Sequence, residues 1–191
     1  MQIANIQLYL RTVQDMETYL HNLTDWATLN DMQLNTAKTK EMILMILGPV
    51  AQANLPLLTT ITTTTTDTIH RVTSFKLLGV YIDSTMSWTI HVHNMVKKAT
   101  RMLYFLKQLK RAGLTSKQLF HYYTAVTRPV LESCAPVWHY ALTKSQTQQL
   151  ETIQKRAIQI VLNFSRGMPY SSMLFAADLN SLASRREDIS R

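Results

Sequence analysis

Cysteine is almost absent from this chain. Cys134 is the only one in 191 residues, so no intramolecular disulfide is available and nothing points to secretion. Glycine is scarce too. Gly48, Gly79, Gly113 and Gly167 each stand alone at the end of an expected element, and no phosphate-cradling loop is built from them. Long apolar runs are missing as well. The longest, from Met42 to Ala51, is ten residues. A spanning helix needs roughly 20, so a soluble chain with no membrane partner is expected. The opening MQIANIQLYL has no charged n-region, and no signal peptide is read from it.

Catalytic groupings are equally thin. The twelve carboxylates are scattered, apart from Glu187-Asp188 near the C-terminus. A two-metal nucleotidyl-transfer centre needs them clustered. No G-x-S-x-G occurs, and no Ser/His/Asp set stands out. His91 and His93 point apart at a helix start, and with Cys134 and His139 they make four ligands only if the fold gathers them. The reading is therefore no catalytic residue, no metal and no cofactor.

Apolar residues make up 46% of the chain, enough for a packed core. The net charge of +8 is unevenly placed: residues 1–87 carry five basic and seven acidic side chains, whereas 88–191 carry fifteen and five. A cationic half-chain beside a near-neutral one points to a polyanionic partner, with phosphate backbones first.

Periodicity organises the first half as α+β. Val13, Met16, Leu20, Leu23 and Ala27 share one face of a helix over 12–30, with Thr12 and Asp15 as its start signal and Asn30-Asp31 as its stop. MQLN (32–35) and EMILMIL (41–47) read as strands, ended by Gly48-Pro49. The threonine tract over 59–68 reads as a connector or hairpin loop, and TSFKLLGVYID resumes strand character around Gly79.

From Trp88 onward the pattern is helical. One helix runs to about Arg111 and is closed by Gly113, with Met95, Ala99, Met102, Leu106 and Leu109 inward. A second opens at Thr115-Ser116 and is broken or kinked by Pro129. A third spans 143–162, with Leu150, Ile153, Ala157, Ile160 and Val161 inward. SLASRREDISR reads as a helix cut short. The expected organisation is an α+β segment over 1–87, an all-helical domain over 88–165 and an extension over 166–191.

The sharpest local signal is a cationic stripe. Lys97, Arg101, Tyr104, Gln108 and Arg111 share the face opposite the apolar one, flanked by Lys98, Lys107 and Lys110. No acidic residue falls between Asp83 and Glu132. A merely solvated face interleaves both signs, so this one fits phosphate tracking, with a tyrosine to stack. Lys144 and Lys155 are secondary candidates.

Four stretches occur in an order similar to reverse transcriptases of LINE-type, non-LTR retrotransposons: LNTAKTKEMIL, SFKLLGVYIDSTMSW, KKATRMLYFLKQLKRAGL and YTAVTRPVLESCAPVWHYALTKSQTQQLETIQKRAIQIV. That resemblance implies a partial palm-like sheet with one helix followed by a thumb-like bundle. It makes Leu78-Gly79 the turn of a primer-grip-like hairpin. It also makes Lys38, or the nearby Lys40, a lysine that assists pyrophosphate departure. The implied partner is an RNA–DNA hybrid or duplex, held by Lys97, Arg101, Tyr104, Lys107, Arg111, Lys144 and Lys155. The family's Tyr-Ala-Asp-Asp would align its aspartates with Ala4 and Asn5, so a polymerase fragment without catalysis is implied, its remaining domains elsewhere.

The alternatives are an inert retroelement relic or a small helical protein-interaction module. KKATRMLYFLKQLKRAGL also resembles the N-terminal module of an AlkB-type RNA-modifying protein. No histidine here is followed two residues later by Asp or Glu, so iron-dioxygenase chemistry is not expected.

Overall fold

The computed structural model describes residues 13–44, 59–61, 66–164 and 167–191. The chain divides into two compact units, Met1–Met86 and Ser87–Arg191. The first mixes one helix with short strands and the second is helical, so the fold class is α+β.

In the first unit, helix α1 (Val13–Leu29) carries Asp15 in its first turn, where an acidic side chain complements the helix dipole. Its inward face follows the expected spacing: Leu20 is buried with Ile69, and Met16 packs partly against them. Asp31, with φ 54°, takes the left-handed conformation that ends the helix, while the Met32 N–H returns to the Ala27 carbonyl at 2.8 Å.

Three two-stranded sheets follow. β1 (Lys40–Glu41) pairs in parallel with β4 (His70–Arg71), β2 (Thr59–Ile61) pairs antiparallel with β3 (Thr66–Thr68), and β5 (Ser74–Leu77) pairs antiparallel with β6 (Val80–Asp83). Both ends of the threonine tract are thus strands, as threonine's extended preference allows; 62–65 lie outside the described residues.

Residues 32–35 do not form the expected strand. Asn35 is the reason: its side chain accepts from the Lys38 N–H at 3.1 Å and its carbonyl accepts from the Thr39 N–H at 2.9 Å. A local Asn turn of this kind competes directly with ladder pairing. The expected strand over 41–47 is confined to Glu41 among the described residues; 45–47 lie outside them. Glu41 is held by a two-point contact from Arg71, at 2.9 and 3.1 Å.

The β5–β6 hairpin closes through Leu78 and Gly79, at φ 47° and 95°. Two positive φ values match the right-handed twist of the strands. Glycine adopts that geometry without strain. Leu78 does not, and its side chain is 93% exposed.

The second unit is built around α2 (Thr89–Arg111) and α6 (Lys144–Leu162), which pack against each other. Between them run α3 (Ser116–Tyr122), a π-helical turn over Tyr123–Thr127, α4 (Arg128–Glu132), α5 (Ala135–Trp138) and a 3₁₀ turn over His139–Ala141. The predicted starts of α3 and α6 are both capping boxes: Thr115 with Gln118, and Thr143 with Gln146. Pro129 neither breaks nor sharply ends its helix. A proline ring would strike the carbonyl four residues earlier, and widening to a π turn at 123–127 accommodates it.

The core face of α2 is rotated slightly from expectation. His91, Val92, Met95, Ala99, Leu103 and Leu106 are buried, whereas Met102 and Leu109 are half-buried. On α6, Ile158 takes the buried place expected of Ile160. The tail is more ordered than its composition suggests. Helices α7 (Tyr170–Ala177) and α8 (Leu182–Ser190) both pack on α6, burying Met173, Leu182 and Arg186.

Candidate nucleic-acid interface

Helix α2 stands on good helix formers, with no glycine or proline within it. Its C-terminus closes in a Schellman arrangement: the Gly113 N–H reaches the Lys110 carbonyl at 3.0 Å and the Leu114 N–H reaches Leu109 at 3.3 Å, with Gly113 at φ 87°. At the other end the Gln146 side chain donates to the Ser87 carbonyl at 2.8 Å and to the Thr89 hydroxyl at 3.3 Å, tying the starts of α2 and α6 together. The helix is therefore fixed at both ends with its apolar face inward.

The cationic stripe lies on the outer face. Lys97, Arg101, Lys107 and Arg111 are exposed, Tyr104 is 60% exposed, and Gln108 is half-buried. At 1.5 Å per residue the stripe from Lys97 to Arg111 is about 21 Å long. Among the described residues no ion pair engages any of its cations. Lys98 and Lys117 are exposed as well.

Not every base in the unit is available. Lys110, which flanks the stripe in sequence, turns away: its ammonium donates to the Ile160 carbonyl and to the Asn163 side chain, capping the end of α6. Arg185 forms a two-point contact with Glu132, at 2.6 and 3.3 Å, and that hydrogen bond raises its pKa. Arg128 approaches the same carboxylate at 3.9 Å. Arg186 is fully buried with its guanidinium 5.7 Å from the Trp138 ring. Burial pushes its pKa down, while the Glu151 and Glu132 charges hold it up.

Lys144 is exposed and Lys155 half-buried on the outer flank of α6. Both lie on the helix that packs against α2, and neither is on α2 itself. Lys38, exposed in the 36–38 turn, and Leu78-Gly79, at the hairpin tip, belong to the first unit.

Sequence reasoning missed the apolar ground beside the stripe. Phe105 is 52% exposed and stacks edge-on with Tyr104 at 5.8 Å. It lines a shallow, open apolar hollow with Leu109 and Tyr122. A second hollow of about 540 Å³ continues past Leu109 and Tyr122 to Lys117 and His121. The missed signal was Phe105 itself, an aromatic outside the inward spacing of its helix.

The interior carboxylates serve the fold. Glu151 accepts from the Ala183 N–H at 2.7 Å, the Leu182 N–H at 3.2 Å and the Tyr170 hydroxyl at 2.6 Å. Gln154 bridges the Tyr123 hydroxyl, at 2.7 Å, and the Asn180 carbonyl, at 2.8 Å. Burial drives the Tyr123 and Tyr170 phenols well above the usual tyrosine range, and the bond to Glu151 adds to this at Tyr170. Among the described residues no group of three or more His, Cys, Asp and Glu is placed to hold a metal, and no helix is long and apolar enough to cross a membrane.

The family described as "Alkylated DNA repair protein alkB homolog 8, N-terminal" matches residues 88–126. The match covers about a fifth of the chain and takes in α2, α3 and most of the π turn. No curated protein and no solved structure matches the chain. The reverse-transcriptase assignment and the retroelement reading are overturned by that match. The family found on the cationic helix is a different one. The stretches that carried the resemblance have local explanations. They comprise a tight hairpin, a capped cationic helix and an apolar-faced core helix, each stabilised by contacts that require no polymerase.

Proposed function

We propose that the second unit is a nucleic-acid-binding module, with the outer face of α2 holding the phosphate backbone. The carrying observation is the stripe of Lys97, Arg101 and Arg111 with Lys107 on its flank: exposed, free of ion pairs among the described residues, and far in sequence from any carboxylate. Cations that serve the fold, Lys110, Arg185 and Arg186, point elsewhere. The name of the family matching 88–126 is that of an alkylated-DNA repair protein, which accords with a nucleic-acid partner. At 3.4 Å per phosphate along one strand, a 21 Å stripe spans about six phosphates of a duplex or RNA–DNA hybrid. The role is binding rather than catalysis, with Glu132 and Glu151 committed to structural partners.

The test is fluorescence anisotropy of the full chain with a labelled 20-mer RNA and with a DNA duplex. Lys97→Gln/Arg101→Gln removes two of four phosphate contacts and should weaken binding on the order of 30-fold at 100 mM salt. Lys144→Gln/Lys155→Gln, on the other helix, should change it far less. Equal affinity of the parent and the α2 variant refutes the proposal.

A further inference from the structure

We infer that the groove beside the cationic stripe receives unpaired bases, so that the module prefers single-stranded nucleic acid to duplex. This deepens the nucleic-acid reading and rests on it. Phe105 lies about 80° around α2 from Lys97, taking 100° per residue, so the aromatic edge adjoins the phosphate-facing stripe. Tyr104 and Phe105 are both half or more exposed and pack edge to face. Beside Phe105 the shallow hollow it lines with Leu109 and Tyr122 is apolar and open to solvent.

The chemistry favours one occupant. Exposed cations adjoin the hollow: Arg101 and Arg111 stand on the same helix as Phe105, and Lys117 lines its continuation. No carboxylate occurs from residue 84 to residue 131. The occupant must therefore carry flat apolar groups and negative charge together. A duplex offers phosphates but keeps its base faces stacked, so it engages the stripe and leaves the groove empty. A single strand offers both, because each unpaired base has a π-face for an aromatic platform while its phosphates track the cations.

The test compares a labelled 12-nucleotide single strand, the matching duplex and an abasic strand of equal length against the full chain. Phe105→Ala should weaken the single strand about tenfold, on the scale of losing one base stack, and leave the duplex and abasic strand unchanged. Phe105→Leu, which keeps the apolar volume without the ring, should show most of that loss. Lys97→Gln/Arg101→Gln should weaken all three. If the charge variant changes nothing, the nucleic-acid reading fails. If the charge variant weakens binding but Phe105→Ala does not discriminate single strand from duplex, only the base-groove inference fails. A self-associated chain that Phe105→Ala dissociates in sedimentation, or an acidic amphipathic peptide that binds the groove in place of the strand, would overturn it as well.

Discussion

Replacing Glu151 by alanine should loosen the two C-terminal helices from the bundle. This side chain is 7% exposed and its carboxylate accepts three hydrogen bonds, from the Leu182 and Ala183 N–H groups and the Tyr170 hydroxyl. The two N–H groups open α8, where a helix has no internal acceptors and a negative charge is favoured by the dipole. Truncation leaves these donors unpaired, at about 1–3 kcal/mol for each buried one. It also removes one of the two negative charges that oppose the burial-driven lowering of the Arg186 pKa. The three losses share one carboxylate and overlap, so a total near 4 kcal/mol is expected.

Urea denaturation of the full chain, followed by circular dichroism, measures this loss. Hydrogen exchange should show protection lost at Leu182 and Ala183. Glu151→Gln keeps the shape and one acceptor but drops the charge, and should fall at about half the alanine effect. The control is Gln148→Ala, an exposed neighbour on the same helix. If Glu151→Ala lies within about 1 kcal/mol of that control, the buried capping network is not what holds α8 in place.

Other perturbations follow from single observations. Leu78→Asn relieves a left-handed conformation at an exposed hairpin tip and should stabilise the chain by about 1 kcal/mol, read from the same denaturation curves; a loss of stability would contradict the turn geometry. Burial lowers the His91 pKa, so the unfolded chain takes up a proton that the fold excludes; its contribution is complete above the ordinary imidazole value and is lost as pH falls through the lowered one. The melting temperature should therefore drop between pH 7 and pH 5, and His91→Gln should flatten that dependence. Arg186→Met should be neutral or stabilising by about 1 kcal/mol, because the Glu132 and Glu151 carboxylates keep other partners and a buried charge is removed; a loss beyond about 2 kcal/mol would show that the guanidinium is itself a support.

Much of the second unit could be read from local pattern. The ends of α2 and α6 and the capping residues Thr115 and Thr143 are local signals, and local signals survive in one dimension. What escaped depends on partners distant in sequence. Lys110 flanks the stripe in sequence, but the end of α6, fifty residues on, claims its ammonium. Arg186 sits in a stretch that reads as a helix cut short, yet it is fully buried against Trp138. Glu151 and Gln154 are polar residues with no sequence signal for burial, but their partners on α7, α8 and the turn before it close over them. In the first unit Asn35 redirected a stretch whose apolar content alone suggested a strand. The candidate site divides the same way: helix periodicity placed Lys97, Arg101 and Arg111 outward, while the Phe105 groove needs α3 and Tyr122 to exist.

The most direct test of the central claim is the salt dependence of nucleic-acid affinity in the unaltered chain. With four phosphate contacts the slope of log affinity against log salt should be about −2.8 for a single strand and about −3.6 for a duplex. Between 50 and 200 mM salt that amounts to roughly a 50-fold and a 150-fold loss, respectively. A slope shallower than about −1, or no measurable binding at the lower salt, would mean that the α2 face is a solvated surface and not a phosphate-binding one.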